Sequence, residues 1–236
     1  MDSSDFKQHY SQQFNAELEE VRSRVLTMGG LVEHQLRTAI DALDSGNADP
    51  AALVVSNDIK VNAYDVEIDE RCTQILALRK PSASDLRLVL AVIKITADLE
   101  RIGDEAKRVA RMAVSPSDTD TGRNLFGQIV RLGSLVQGML HRVLDACARM
   151  DVDAAIAVAH EDVDVDREYE SIMRQSITFM MEDPRAIPSV MEVIWAARAL
   201  ERIGDRCCNI SEYIIYFVKG KDVRHTSLEQ IRNEFG

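Results

Sequence analysis

Apolar residues recur along this chain at three- and four-residue spacings, in runs long enough to be helices rather than strands. Val54, Val61, Ile68 and Ile75 fall seven apart, and Val158, Val165, Ile172 and Phe179 do the same further on. A heptad of this kind presents one seam of a helix to a partner helix. The prolines, Pro50, Pro81, Pro116, Pro184 and Pro188, separate stretches rich in Ala, Leu, Glu, Arg and Met, so they punctuate helices at their ends. Helix-start signals stand at Asn47-Ala48-Asp49-Pro50 and Ser82-Ala83-Ser84-Asp85. These patterns predict helices at about residues 5–44, 50–79, 82–113, 121–149, 151–182 and 185–219. No alternating run bounded by turn signals predicts a strand.

The one stretch with loop composition runs from Ser115 to Gly122, at mid-chain, and is expected to link a first bundle at 1–114 to a second at 123–219. The remainder, 220–236, is polar and expected to be loosely held. Helices of about 30 residues are roughly 45 Å long, and short turns make successive ones antiparallel.

The two halves match. Leu99-Glu100-Arg101-Ile102-Gly103-Asp104 recurs residue for residue as Leu200-Glu201-Arg202-Ile203-Gly204-Asp205, an offset of 101, and the heptad positions of the preceding helices align at an offset of 104. The fold class expected is all-α: two tandem antiparallel three-helix bundles related by internal duplication. The helix seam accounts for most Val, Leu, Ile and Met residues, and Trp195 and the scattered aromatics are read as core with them.

Within the repeat, Glu and Asp stand four apart and project from the same side of a helix, where like charges are unfavourable. Glu100 with Asp104, and Glu201 with Asp205, border an apolar face, where an uncompensated carboxylate is costly. Folding helices five and six back on each other about residues 183–184 sets Glu201 opposite Asp166 and Asp205 opposite Asp162. Folding helices two and three about Pro81 sets Asp104 opposite Asp58 and Glu100 opposite Asn62. Carboxylates gathered this way suit hard divalent or ferric ions with oxygen ligands: iron, manganese, zinc or magnesium. Asn209 and Glu212 extend the second group of oxygens, and Gly103 and Gly204 are explained by a close helix approach beside the carboxylates. The alternative is salt bridging. Lys107 and Arg111 share the first stripe with Glu100 and Asp104; in the second half those positions hold Cys208 and Glu212, leaving only Arg198 and Arg202 at the edge.

Composition narrows the function. The 236 residues carry 39 acidic against 28 basic side chains, a net charge of -11, which disfavours nucleic acid and anionic lipid as partners. The N-terminus has no basic-then-apolar leader and no stretch approaches about 18 uncharged apolar residues, so a cytoplasmic chain without membrane insertion is expected. Cys72, Cys147, Cys207 and Cys208 show no CxxC spacing and read as small hydrophobes rather than a disulfide framework. No P-loop, GxSxG or dinucleotide fingerprint is present, and no histidine follows a glutamate at the Glu-x-x-His spacing of di-iron bundles. A non-enzyme is therefore expected. The competing readings are a carboxylate-bridged metalloenzyme acting on phosphoesters and a metal-free helical scaffold.

With Leu-Glu-Arg-Ile-Gly-Asp doubled about a hundred residues apart, the chain resembles the PhoU family of bacterial phosphate regulators. The stretches Met28 to Leu36, Pro81 to Arg87 and Asn209 to Glu212 carry the same resemblance. It implies two three-helix bundles whose acidic pairs, here Glu100 with Asp104, Glu201 with Asp205 and Asp162 with Asp166, hold multinuclear metal clusters in some members. The first half departs from the pattern at Asn62, Arg108 and Arg111. The resemblance further implies a negative regulator of phosphate uptake, connecting a phosphate ABC transporter to a sensor histidine kinase. Such a protein would be a homodimer, held at the inner membrane only through its protein partners.

Overall fold

The computed structural model describes the backbone of residues 3–45, 48–112 and 120–235. The helices are α1 (Ser3–Ser45), α2 (Ala48–Arg79), α3 (Ala83–Met112), α4 (Asp120–Arg149), α5 (Val152–Glu182), α6 (Ile187–Lys219) and α7 (Leu228–Phe235). A single 3-10 turn, Pro184–Ala186, precedes α6. There is no strand among the described residues.

The turns explain the antiparallel order. After α2 the chain reverses through Lys80, at φ 48°, and Pro81. Between α4 and α5, Met150 takes φ 54° and the Asp151 carboxylate caps α5 by accepting from the Ala154 amide at 2.9 Å. Between α5 and α6, the Asp183 carboxylate accepts from the Arg185 amide at 3.0 Å, which sets up the 3-10 turn and moves the start of α6 to Ile187. Gly220, at φ 73°, closes α6 in the left-handed conformation that costs glycine least, its amide donating to the Tyr216 carbonyl.

Two triplets pack as expected: α1, α2 and α3 against one another, and α4, α5 and α6 likewise. The predicted heptads face inward, with Val54, Val61, Ile68, Ile75, Val158, Val165 and Ile172 buried and Phe179 packed at the margin. The triplets are not separate bodies. α3 lies along α6 and α1 along α4, so one continuous core runs through all six helices. Across the α3–α6 contact, Arg202 pairs with Glu105 at 3.2 Å and Arg206 with Asp98 at 3.4 Å. The higher-numbered partner in one helix meets the lower-numbered in the other, so α3 and α6 run antiparallel and their two repeats cross at the middle of the molecule.

Three expectations change. Of the expected loose tail 220–236, the described residues up to 235 are held: α7 packs on α5, Val223 and Ile231 are buried, and Lys221 pairs with Glu234 at 2.5 Å. Two apolar anchors in a polar stretch carry no periodicity by which a sequence could reveal them. Trp195 is not core; it is 61% exposed. Of the expected linker, 115–119 lies outside the described residues, and 120–122 already belong to α4. No described helix is long and apolar enough to cross a membrane.

Candidate functional site

The second half gathers its acids as the hairpin arithmetic requires. Asp162 and Asp166 on α5 face Glu201 and Asp205 on α6, and each of Asp162, Glu201 and Asp205 feels the negative charge of others in the group. Burial pushes the Asp162 carboxyl up to about 6, with the neighbouring charges of Asp166, Asp205 and Glu201 adding to it and a hydrogen bond from the Cys208 thiol opposing it. Glu201 and Asp205 are raised for the same first reason, burial, and then by their acidic neighbours. None of the four forms a salt bridge among the described residues: Arg198 and Arg202 act on Glu201 and Asp205 only at a distance. Arg202 is turned to Glu105 across the α3–α6 contact.

Gly204 makes this proximity possible. A Cβ there would stand 3.0 Å from Asp162 Oδ1 and 3.2 Å from Val165 Cγ1, tighter than ordinary contact, so a larger residue would make these side chains give by a few tenths of an ångström. Gly103 serves the same purpose in the first half, where a Cβ would meet Gln35 Oε1 at 3.3 Å and Val61 Cγ1 at 3.4 Å.

The first half solves its charge problem internally. Lys107 Nζ donates to Asp58 Oδ2 at 2.5 Å and to Asp104 Oδ1 at 2.7 Å, so an ammonium stands between the two carboxylates that the fold brings together. Glu100 remains outside this pair. Its carboxyl is raised by burial and by the charges of Asp104, Asp65 and Asp58. Asp65, itself raised by burial and by Asp69, was not singled out by the sequence, because it lies off the mirror register of the α2–α3 hairpin. Also missed was Gln35 on α1, buried with both side-chain polar atoms unpartnered beside Asp58 Oδ1, which is likewise without a partner. Its only sequence signal is a glutamine at a core position of the helix stripe.

Asn209 and Glu212 do not join the second cluster. Asn209 lies beside the buried Asp98 of α3, and Glu212 faces Asp222, Arg224 and His225 of the C-terminal segment. The rise of about 1.5 Å per residue carries Glu212 roughly 10 Å along α6 from Asp205, beyond the aspartates of α5. Among the described residues, no three His, Cys, Asp or Glu side chains stand in a closed metal-ligand arrangement. The donor set of the second half, four carboxylates with no cation paired to them, nonetheless has the chemistry that hard cations take. The first half, with Lys107 already seated between its acids, does not. The cysteines are free, and Cys208, hydrogen-bonded to Asp162, is part of this site.

A family model described as the PhoU domain matches twice, over residues 25–113 and 129–214, each match ending shortly after one copy of the repeat. The chain belongs to the PhoU family. Its similarity to PhoU relatives runs almost end to end. The phosphate-specific transport system accessory protein PhoU of Serratia marcescens is 52% identical over 95% of this chain and 92% of its own length. That of Escherichia coli strain K12 is 49% identical over 98% of this chain and 95% of its own. The crystal structure of PhoU from Pseudomonas aeruginosa superposes with a TM-score of 0.85 at 49% identity, covering 88% of this chain and all of that one. The phosphate transport system regulatory protein PhoU from Streptococcus pneumoniae does so at 0.81 and 29% identity, covering 89% of this chain and 99% of that one. In this chain the two copies of the repeat have different neighbours, Lys107 in one and Cys208 at the equivalent position in the other.

Proposed function

We propose that this protein is an accessory component of a phosphate-specific transport system. In that role it acts as a negative regulator of phosphate uptake, as a cytoplasmic adaptor between the phosphate ABC transporter and a sensor histidine kinase. The observation that carries this reading is the near end-to-end similarity to accessory proteins of that name, at 52% identity in one case. An adaptor needs surfaces rather than a reaction centre. Ile59, Val66, Val163, Ile177 and Met181 on α2 and α5 are large apolar side chains left exposed, which supports a homodimer or a partner contact on those helices. No catalysis is assigned.

The metal part of the reading is confined to the second half. Asp162, Asp166, Glu201 and Asp205 would hold a divalent or ferric ion, iron, manganese, zinc or magnesium, which would neutralise charges that the fold leaves uncompensated. To close around the ion, the four side chains would turn inward from their present rotamers. Asp58 and Asp104 would instead stay with Lys107, and neither they nor Glu100, which lies outside that pair, would hold metal.

Deleting the gene tests the regulatory reading: phosphate-starvation genes should be expressed at high phosphate in the deletion strain and return to silence on complementation. An unchanged response to phosphate would reject it.

A further inference from the structure

α3 and α6 leave a cavity of about 390 Å³ between them. Glu105, Arg108 and Arg111 line it from α3, and Trp195, Arg198 and Arg202 from α6. Its size lies in the range of small-molecule sites, roughly 300–1,000 Å³. Four guanidinium groups against one carboxylate meet here, in a chain whose net charge is -11.

The cations are partly fixed. The Glu105 carboxylate, largely buried, accepts from Arg108 at 3.0 Å and from Arg202 at 3.2 Å, so it holds one guanidinium from each helix. Arg111 and Arg198 form no salt bridge among the described residues and stand exposed at the rim. Like charges gathered without counter-ions are unfavourable, and an anion seated between them relieves the repulsion. Planar guanidinium forks match phosphate oxygens in pairs. Beside them lies Trp195, the only tryptophan of the chain, with its indole exposed where burial would have been expected. An exposed indole next to arginines offers a flat face to a planar aromatic base.

We propose that this groove binds a nucleoside polyphosphate, with the phosphates held by Arg108, Arg111, Arg198 and Arg202 and the base stacked on Trp195. A compact anion is favoured over a large one. Charges are screened within about 8 Å at physiological ionic strength, so a small ligand meets the local positive groove, whereas an extended polyanion also meets the acidic surface around it. Because both helices contribute, bound ligand ties the two halves of the molecule together across their contact.

The test reads the fluorescence of Trp195 in the intact protein, with chelator present, during titration with ATP, and repeats the titration by calorimetry. Separate titrations use adenosine, tripolyphosphate and a polyglutamate peptide. Expected is a saturable ATP signal with half-saturation near or below about 1 mM, with adenosine and tripolyphosphate each at least about tenfold weaker. The double variant Arg111→Ala, Arg198→Ala, both exposed positions, should weaken ATP binding at least about tenfold with its circular dichroism unchanged. Trp195→Leu should bind ATP no better than tripolyphosphate by calorimetry. The proposal is overturned by the absence of saturable binding in both readouts, or by tripolyphosphate equalling ATP in the native chain, which would leave an anion site only. Tighter binding of polyglutamate, which would make this a contact for an acidic protein segment, or unaltered ATP affinity in the double variant would overturn it equally.

Discussion

Replacing Asp162 with asparagine should stabilise the metal-free protein at neutral pH, which few substitutions of a half-buried polar residue do. Asp162 has its carboxyl raised from 3.8 to about 6, chiefly by burial and then by Asp166, Asp205 and Glu201. The folded state therefore keeps this proton to higher pH than the unfolded chain does. The group's contribution is most favourable below about pH 4 and is lost as the pH rises through about 6. About two pH units correspond to roughly 3 kcal/mol; Asp162 is only partly buried, and solvent screening reduces this to about 1–2 kcal/mol. Asparagine keeps the shape and can still accept from the Cys208 thiol, while the charge is gone. In thermal melts with chelator at pH 7.5, Asp162→Asn should melt about 3–6 °C above the native chain. Near pH 4 the two proteins should melt together, because the native carboxyl is then protonated as well. A loss of stability at both pH values, or a gain that does not depend on pH, would refute the argument that uncompensated charge defines this cluster.

The first half should behave in the opposite sense. Lys107→Met leaves the buried Asp58 without its cation and should cost about 2–4 kcal/mol in denaturant unfolding, with Lys107→Arg restoring much of it. At Gly204, alanine should destabilise by about 1–2 kcal/mol despite its better helix propensity, because its Cβ would crowd Asp162 and Val165; at Gly30, where a Cβ meets nothing, it should stabilise by about 0.5–1 kcal/mol. Calorimetric melts of these two variants side by side separate packing from propensity. Added Mn²⁺ or Fe²⁺ should raise the melting temperature of the native chain, an effect absent from the double variant Glu201→Ala, Asp205→Ala; an equal rise in both would place the metal elsewhere.

Much of the candidate site was legible before the fold was known, because helix geometry is regular. The four-residue spacing of Glu201 and Asp205 puts both on one stripe, and antiparallel reflection about a short turn names their partners on α5, which is where they are found. Gly204 could be read as a close approach for the same reason, and a Cβ there would indeed crowd Asp162 at 3.0 Å. Asn209 and Glu212 were misread because position on a stripe says nothing of distance along the axis, and the partners that claim them, Asp98 and the 222–225 segment, come from elsewhere in the chain. Gln35 escaped because α1 reaches the site from a remote part of the sequence, with no spacing rule to connect it to Asp58.

By itself the sequence determined the helices, their antiparallel order and the internal duplication, since each depends on periodicity and on turns within a few residues. It also determined that acids would face acids across each hairpin. Only the tertiary structure decided what neutralises them. Lys107 reaches both Asp58 and Asp104, whereas of the cations that act on Glu201 and Asp205 two are turned elsewhere by the packing of α3 on α6, Arg202 to Glu105 and Arg206 to Asp98, and Arg198 acts without a salt bridge among the described residues. A long, flexible arginine has several partners within reach along a chain, and which one it takes depends on how two distant helices cross. The same crossing left Trp195 outside the core and beside four arginines, a placement that no local pattern contains.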